Sequence, residues 1–370
     1  MLPTEFAKVL DLHQASTRAS APSVAEAAQR FLNPDSCITR YVVGRNPESE
    51  RLRQLVPLAG LLDDGAPAGA EWQGLPVLPM RQVPVDAWVL NASTSIAPFD
   101  VANALARAGL AQTLTLADLL AVPSAPPGLL PSFIREQRVE IAAHRDEWVD
   151  LYQRLEDAES RQVLADVLRF RLTADATGMS RYRVRFKEQY FEKFLDLHDE
   201  TFVDAGGFDG DTTEEFCKRV PGYSGVYFFE PSPVNMAKAQ SRLSAWDRID
   251  YHPIGLSDER AQLRFDALSG SASAVSDFGT SRILVDCLDH LEVQPPGFLK
   301  LDLEGWEMNA LRGAAQTIRR HRPKLAISVY HQASHFREVA QLLLDLCPRY
   351  KVRLRHYTQG WSETVMFFSN

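Results

Sequence analysis

Phe202-Val203-Asp204-Ala205-Gly206-Gly207-Phe208-Asp209-Gly210-Asp211-Thr212, followed by Val226-Tyr227-Phe228-Phe229-Glu230-Pro231, decides the fold. An apolar run ends in an acid, a glycine-rich turn and a helix-like segment follow, and a second apolar run ends in Glu230. That is the pattern of a βαβ unit built around a ligand crevice. Gly206, Gly207 and Gly210 let the backbone turn sharply and approach a ligand closely. Asp211, Thr212 and Thr213 are candidate N-caps of a helix whose amide dipoles face whatever occupies the turn. Glu230, at the carboxyl end of the second strand, is placed to accept both hydroxyl protons of a ribose.

Spacing separates two readings of this unit. A dinucleotide fingerprint sets its glycines at offsets of zero, two and five, because a pyrophosphate needs backbone amides at close approach. Here Gly206, Gly207 and Gly210 fall at zero, one and four. The turn resembles instead the first motif of class I S-adenosylmethionine (SAM) methyltransferases, whose ligand carries an amino-acid end in place of a diphosphate.

The segment Phe298-Leu299-Lys300-Leu301-Asp302-Leu303-Glu304-Gly305-Trp306-Glu307 is the next piece. Apolar residues at 299, 301 and 303 alternate with Lys300, Asp302 and Glu304, which predicts a strand end with one charged side. Asp302 and Glu304 then face the crevice of an open α/β sheet, where carboxylates orient an acceptor or remove its proton. The structural alternative is a helix start with Glu304 and Glu307 stabilising its first turn.

Residues from about 186 to 370 resemble the FkbM-type family of SAM-dependent methyltransferases. The likeness rests on Glu188-Gln189-Tyr190-Phe191, Val203 to Thr213, Phe229-Glu230-Pro231-Ser232-Pro233, Leu299 to Glu307 with Leu311-Arg312-Gly313-Ala314, and Leu325-Ala326-Ile327-Ser328-Val329-Tyr330-His331. Many relatives end this last strand with a glutamate, where this chain has Tyr330 and His331. The resemblance implies a class I Rossmann-like fold, a seven-stranded sheet with a reversed last strand, and SAM at the topological switch point. It implies cofactor contacts from Asp204 at the methionyl end, Gly206, Gly207 and Gly210 in the turn, and Glu230 with Pro231 at the ribose. Tyr190 is the aromatic residue expected over the cofactor. A helix near 335 to 346 and β-rich runs at 350 to 357 and 364 to 368, joined by Thr358 to Ser362, match the closing strands.

In that topology His331 follows the fifth strand and His356 ends the sixth, on the edge that carries Asp302. His331 with Asp302 and Glu304 is the catalytic set expected for proton removal from an alcohol. The same acids and histidines would alternatively hold a divalent metal, with Asp302, His331 and His356 as its ligands, lowering the pKa of an acceptor hydroxyl. His335 reads as a solvated or capping residue.

With 370 residues, 45% hydrophobic and 24% charged, the chain is long enough for two domains with separate cores. A net charge of -8 argues against a nucleic-acid backbone as partner, because phosphate binding needs a concentrated basic surface. The alternating run Arg181, Arg183, Arg185 and Lys187 reads as a solvated face. Cys37, Cys217, Cys287 and Cys347 contain no C-x-x-C pair and suit reduced thiols. With neither a signal-like core nor a membrane span in the sequence, the expected location is cytoplasmic.

The first half reads as a helical segment over 1–32, with starts at Thr4 and Ser23, and a smaller Rossmann-like α/β domain over 33–123. Its strands are expected in Cys37 to Val43, Leu58 to Leu62 and Ala87 to Leu90, with helices at 48–56 and 99–108. This part resembles, more loosely, the Rossmann-like domains of sugar-modifying enzymes. Its phosphate turn, Val43-Gly44-Arg45-Asn46-Pro47, keeps one glycine and gains a proline, so a degenerate docking module and a sugar-nucleotide site at Gly44, Asp63 and Asn91 both stay open. A proline-rich linker and helical bridge fill 124–200, and the methyltransferase domain takes 201–370. The N-terminal or helical region is the expected surface for pairing copies of the chain.

Three functions follow as expectations. The first is SAM-dependent O-methylation of a carbohydrate or related small-molecule acceptor. The second is a nicotinamide-dependent oxidoreductase, and the third a SAM- or sugar-nucleotide-binding module without turnover.

Overall fold

The computed structural model describes residues 3–14, 22–265 and 281–370. The chain divides into two compact units. One comprises Met1–Tyr152, Gln162–Val184 and Thr358–Ser362, the other Gln153–Arg161, Arg185–Tyr357 and Glu363–Asn370.

The first unit opens with helices α1 (Pro3–Leu10) and α2 (Pro22–Leu32), followed by strands β1 (Arg40–Val43), β2 (Gly60–Leu62), β3 (Glu71–Trp72), β4 (Leu75–Leu78), β5 (Trp88–Asn91) and β6 (Gln112–Thr115). These strands form one sheet in the order β3-β4-β2-β1-β5-β6, parallel except for β3. β1 is buried on both faces, as a central parallel strand must be when helices cover the sheet. Its first residue, Arg40, is buried too, and it stops α2 by donating from Nε to the Phe31 carbonyl at 2.8 Å. Helix α3 (Pro47–Leu55) starts where Asn46 accepts from the Ser49 N–H and proline occupies the first turn. α4 (Pro98–Arg107) and α5 (Leu116–Leu120) follow, the latter opened by a reciprocal Thr115–Asp118 capping box. Tyr41, Val43, Leu62, Val89 and Leu105 build the core of this unit. The short strands β3, β4 and β6 are additions to the sequence reading. The long helical stretch resolves into α6 (Ser132–Arg154) and α7 (Ala158–Thr173).

The second unit carries β7 (Thr201–Ala205), α8 (Asp211–Arg219), β8 (Gly225–Phe229), α9 (Pro233–Arg242) and β9 (Ile249–His252). Then come β10 (Gly255–Leu256), β11 (Ala261–Phe265), β12 (Ser281–Asp286), β13 (Phe298–Leu301), α10 (Glu307–Gly313) and α11 (Ala315–His321). β14 (Lys324–Ser328), α12 (His335–Leu346), β15 (Lys351–His356) and β16 (Thr364–Ser369) complete it. Its main sheet has seven strands in the order β15-β16-β14-β13-β7-β8-β9, and β16 runs antiparallel to both of its neighbours. The chain proceeds outward from β7 through β8 to β9, then returns to β13 on the other side of β7 and proceeds outward to β14. The carboxyl ends of β7 and β13 therefore border the point where strand order reverses, and a ligand crevice forms there. β10, β12 and β11 form a separate three-stranded sheet.

Phe202 on β7 holds this unit's core together, stacking on Phe298 of β13 at 5.0 Å and lying 4.4 Å from Phe216 of α8. The pattern in Phe298 to Glu304 departs from the expected strand end. β13 stops at Leu301 with every residue buried, Lys300 included. Asp302 to Trp306 forms a loop in which Glu304 takes φ +51° and Gly305 φ +99°. Among the described residues no helix is long and apolar enough to cross a membrane.

Candidate functional site

The glycine turn is pinned beneath the crevice. The N–H groups of Gly206 and Gly207 both donate to the Phe229 carbonyl at 3.0 Å, tying the end of β7 to the end of β8. Gly206 has φ +76°, and a Cβ there would stand 1.9 Å from the Asp302 carbonyl oxygen, so the turn and the loop after β13 touch backbone to backbone. No larger residue fits that contact. Gly210, with φ +84°, is the N-cap of α8, a place the sequence reading gave to Asp211, Thr212 or Thr213. The Thr213 hydroxyl is engaged elsewhere, donating to Asp204 Oδ2 at 2.7 Å.

Asp204 therefore works from inside. It is fully buried, and its other oxygen lies 3.1 Å from Lys300 Nζ. Lys300 also donates to the Gly206 carbonyl at 2.8 Å. Burial opposes its charge, but Asp204 and Asp302 outweigh that and raise its pKa. Asp204, the residue expected at the methionyl end, forms with Lys300 an ion pair beneath the turn. The alternation at 299–304 did not distinguish a buried lysine with its own counter-ion from one on a solvated face.

Glu230 sits at the end of β8 in the crevice and is 5% exposed. Phe208 N–H donates to its Oε2 at 3.1 Å and Ser232 N–H to its Oε1 at 2.8 Å, so the carboxylate is fixed in direction from two sides. Burial raises its pKa, partly offset by those two backbone donors. Pro231 lies between Glu230 and Ser232, the N-cap of α9, and sets the chain's exit from the crevice.

Across the switch point a second cluster gathers around His331. Its Nδ1 donates to Glu307 Oε1 at 2.9 Å, while its Nε2 lies 3.6 Å from Asp302 Oδ1 and 3.4 Å from Glu304 Oε2. The structure thus brings together Asp302, Glu304 and His331, the three residues read as catalytic. His356 is not in that group. It is buried on β15 with Nδ1 2.9 Å from the Thr364 hydroxyl, and β16 separates β15 from β14. His335 is buried as well, its Nδ1 3.2 Å from Glu307 Oε2, which corrects the reading of a solvated residue.

Glu307 is the member whose role the sequence reading missed. Read as a helix-start acid, it does accept the Leu303 N–H at 2.7 Å, but it is fully buried and faces two histidines. Burial would raise its pKa, yet His331 and His335 hold it far below the carboxylate range. His331 shows the complementary effect. Burial would lower its pKa, but Glu307, Glu304 and Asp302 hold it well above the histidine range. In that charged form the ring donates a proton and does not accept one. The carboxylates of Asp302 and Glu304, at 22% and 26% exposure, are the accessible proton acceptors of the cluster.

Tyr190, the aromatic residue expected over the cofactor, is tied to Asp302. It is buried, its hydroxyl donates to Asp302 Oδ2 at 2.7 Å and accepts from the Gln189 side-chain amide at 3.0 Å, and its ring lies 5.3 Å from Lys300 Nζ. The same Gln189 amide donates to Glu363 Oε2 at 2.8 Å. Burial, then Asp302, pushes the Glu363 carboxyl up to about 7. Tyr190, Phe208, Glu304 and Glu363 all take positive φ values, from +50° to +72°. Left-handed backbone at four non-glycine residues around one crevice marks a site whose geometry is held by its surroundings.

In the first unit, the residues read as a nucleotide turn are occupied. The Asn46 amide donates to the Ala92 carbonyl at 2.6 Å, across the space beside Gly44. Asp63 pairs with Arg45 at 2.8 Å, and the Asn91 amide donates to the Pro98 carbonyl at 2.8 Å.

Residues 204–351 match the family model described as the Methyltransferase FkbM domain. The crystal structure of Methyltransferase FkbM from Methylobacillus flagellatus is similar in fold over 99% of this chain and 98% of that one, with a TM-score of 0.75 and 23% identity. A putative rRNA methylase from Clostridium thermocellum aligns over 49% of this chain and 94% of its own, with a TM-score of 0.34 and 12% identity. Aeropyrum pernix fibrillarin, crystallised with natively bound SAM, aligns over 50% and 71%, with a TM-score of 0.32 and 12% identity. No curated protein matches the chain in sequence. The match to the methyltransferase FkbM domain thus covers residues 204–351, and that family implies SAM-dependent methylation.

Proposed function

We propose that the second unit transfers a methyl group from SAM to a hydroxyl of a carbohydrate or related small molecule, on a class I methyltransferase arrangement. The observation that carries this reading is Glu230, a carboxylate at the switch point held by the N–H groups of Phe208 and Ser232. Two backbone donors fix the carboxylate's direction, which suits the paired hydroxyls of a ribose. The sheet order with β16 reversed supports the class I arrangement.

SAM, when bound, supplies an electrophilic methyl group on a sulfonium sulfur. The chain's own contribution is alignment and proton handling. The turn at Gly206 and Gly207 and the carboxylate of Glu230 hold the nucleoside side of the crevice. Asp302 and Glu304 face its other side, where an acceptor hydroxyl must give up its proton as the new carbon–oxygen bond forms. An edge of acids with an imidazolium suits a neutral polyol better than an anionic acceptor, which those carboxylates would repel.

The test is transfer of a labelled methyl group from SAM by the full chain to a panel of sugars, phenols and amines, with products identified by mass and by the position of the new methyl. Label on a sugar or other alcohol oxygen supports the reading. Transfer confined to amine nitrogen would contradict it.

A further inference from the structure

We infer that Asp302, Glu304 and His331 form a binding site for one divalent cation at the carboxyl ends of β13 and β14. The donor atoms of these three residues lie within 4.8 Å of one another. His331 Nε2 is 3.6 Å from the Asp302 carboxylate and 3.4 Å from that of Glu304. These separations are too long for good direct hydrogen bonds. Ligands placed at right angles around an ion at 2.0–2.1 Å stand about 3 Å apart, so the two imidazole–carboxylate separations need to shorten by only about half an ångström to reach that spacing.

The second observation is which atoms have been left open. His331 has a side chain only 7% exposed, and its Nδ1 is taken by Glu307. Its Nε2 has no hydrogen-bond partner and points at the two acids. Asp302 repeats the arrangement, with Oδ2 held by the Tyr190 hydroxyl and Oδ1 buried without a hydrogen-bond partner. An outer partner on one atom and a free donor atom on the other is how proteins orient metal-ligating imidazoles and carboxylates. Glu307 and Tyr190 are then positioning residues, and a cation would stand where the Nε2 proton otherwise sits.

Two carboxylates and one imidazole suit a cation of the Mn²⁺ class, which accepts nitrogen as well as oxygen. Three protein ligands leave positions open for water or an acceptor oxygen, whose proton such an ion makes easier to remove. That use of the ion rests on the methyl-transfer reading above, whereas the site itself does not. A second group of metal-capable donors, Asp286, Cys287 and His290, supplies the internal control, because His290 Nδ1 already pairs with Asp286 there at 3.0 Å.

The experiment titrates Mn²⁺ into the chelator-treated full chain by calorimetry and by electron paramagnetic resonance, with S-adenosylhomocysteine titrated into the same preparation. The inference predicts one Mn²⁺ per chain, with a nitrogen coupling in the pulsed spectrum that His331→Ala abolishes. Asp302→Asn and Glu304→Gln are expected to weaken binding by about 10-fold or more, and Glu307→Gln by about 10- to 100-fold. Asp286→Asn should leave the affinity unchanged. Glu304 is partly exposed in a loop, so its variant tests the site even if Asp302→Asn does not fold. No saturable Mn²⁺ binding by folded protein, or binding indifferent to Glu304→Gln and His331→Ala, would overturn the inference. Homocysteine-nucleoside binding without Mn²⁺ would sink the cation site alone, and Mn²⁺ binding without that nucleoside would sink the methyl-transfer reading alone.

Discussion

His331 Nδ1 lies 2.9 Å from Glu307 Oε1, a carboxylate oxygen that also accepts the Leu303 N–H at 2.7 Å. One fully buried acid thereby joins the third residue beyond β14 to the loop after β13 and the start of α10. The accessible acids Asp302 and Glu304 are presented from that loop.

Because both partners are buried, removing Glu307 strips His331 and His335 of their nearest buried counter-charge. Glu307→Ala is expected to destabilise the second unit by about 3–5 kcal/mol, and Glu307→Gln by less, since an amide still accepts the Leu303 N–H. Urea unfolding followed by tryptophan fluorescence measures this. A loss below about 0.5 kcal/mol for Glu307→Ala would show that the clamp does not bear on the fold.

Gly206 carries a contact no side chain can share. Gly206→Ala must place a methyl group against the Asp302 carbonyl at a positive φ. The combined conformational and steric cost is roughly 2–4 kcal/mol, and the turn has to move to relieve it. Thermal unfolding of the variant should show the loss, accompanied by weaker SAM binding, and an unchanged midpoint would contradict the geometry.

Tyr190→Phe removes the hydroxyl that holds Asp302 Oδ2 and spares the ring over Lys300. Turnover is expected to fall roughly 10-fold while the KM for SAM stays within about 2-fold, since one hydrogen bond to a charged group contributes about 1.5–3 kcal/mol. An equal loss in both parameters would make Tyr190 a cofactor residue.

The carboxyl of Glu363 is pushed up to about 7 from an ordinary value of 4.5 by burial and by Asp302. The folded chain then keeps a proton that the unfolded chain releases, so stability falls as pH rises from about 4.5 to about 7 and levels off above. For a single group the slope in that window is at most about 1.4 kcal/mol per pH unit. Glu363→Gln should flatten the decline, which urea midpoints at about pH 5 and about pH 7 will reveal. A decline identical in both proteins would assign it to other groups.

The βαβ unit, its glycine turn and Glu230 were legible in the sequence because backbone demands and strand periodicity are local. Asp302, Glu304 and His331 were legible as a set because strand ends in a parallel sheet converge on one edge. The less legible features depend on contacts between distant segments. Lys300 read as one of three charges on a strand side because its counter-ion Asp204 lies on the neighbouring strand, out of sight of a local pattern. Glu307 read as a helix-start acid because its histidines come from beyond the next strand, and His356 was placed at the site although β16 lies between. β3 has two residues and β10 has two, too few for a period to register.

Recognition of the SAM ribose by Glu230 is measured by calorimetric titration of the full chain and its Glu230→Ala variant with S-adenosylhomocysteine. Saturable binding is expected for the natural chain, with an affinity at least about 100-fold weaker in the variant from the loss of two charge-assisted hydrogen bonds. No binding by the folded natural chain, or equal binding by both proteins, would contradict that recognition.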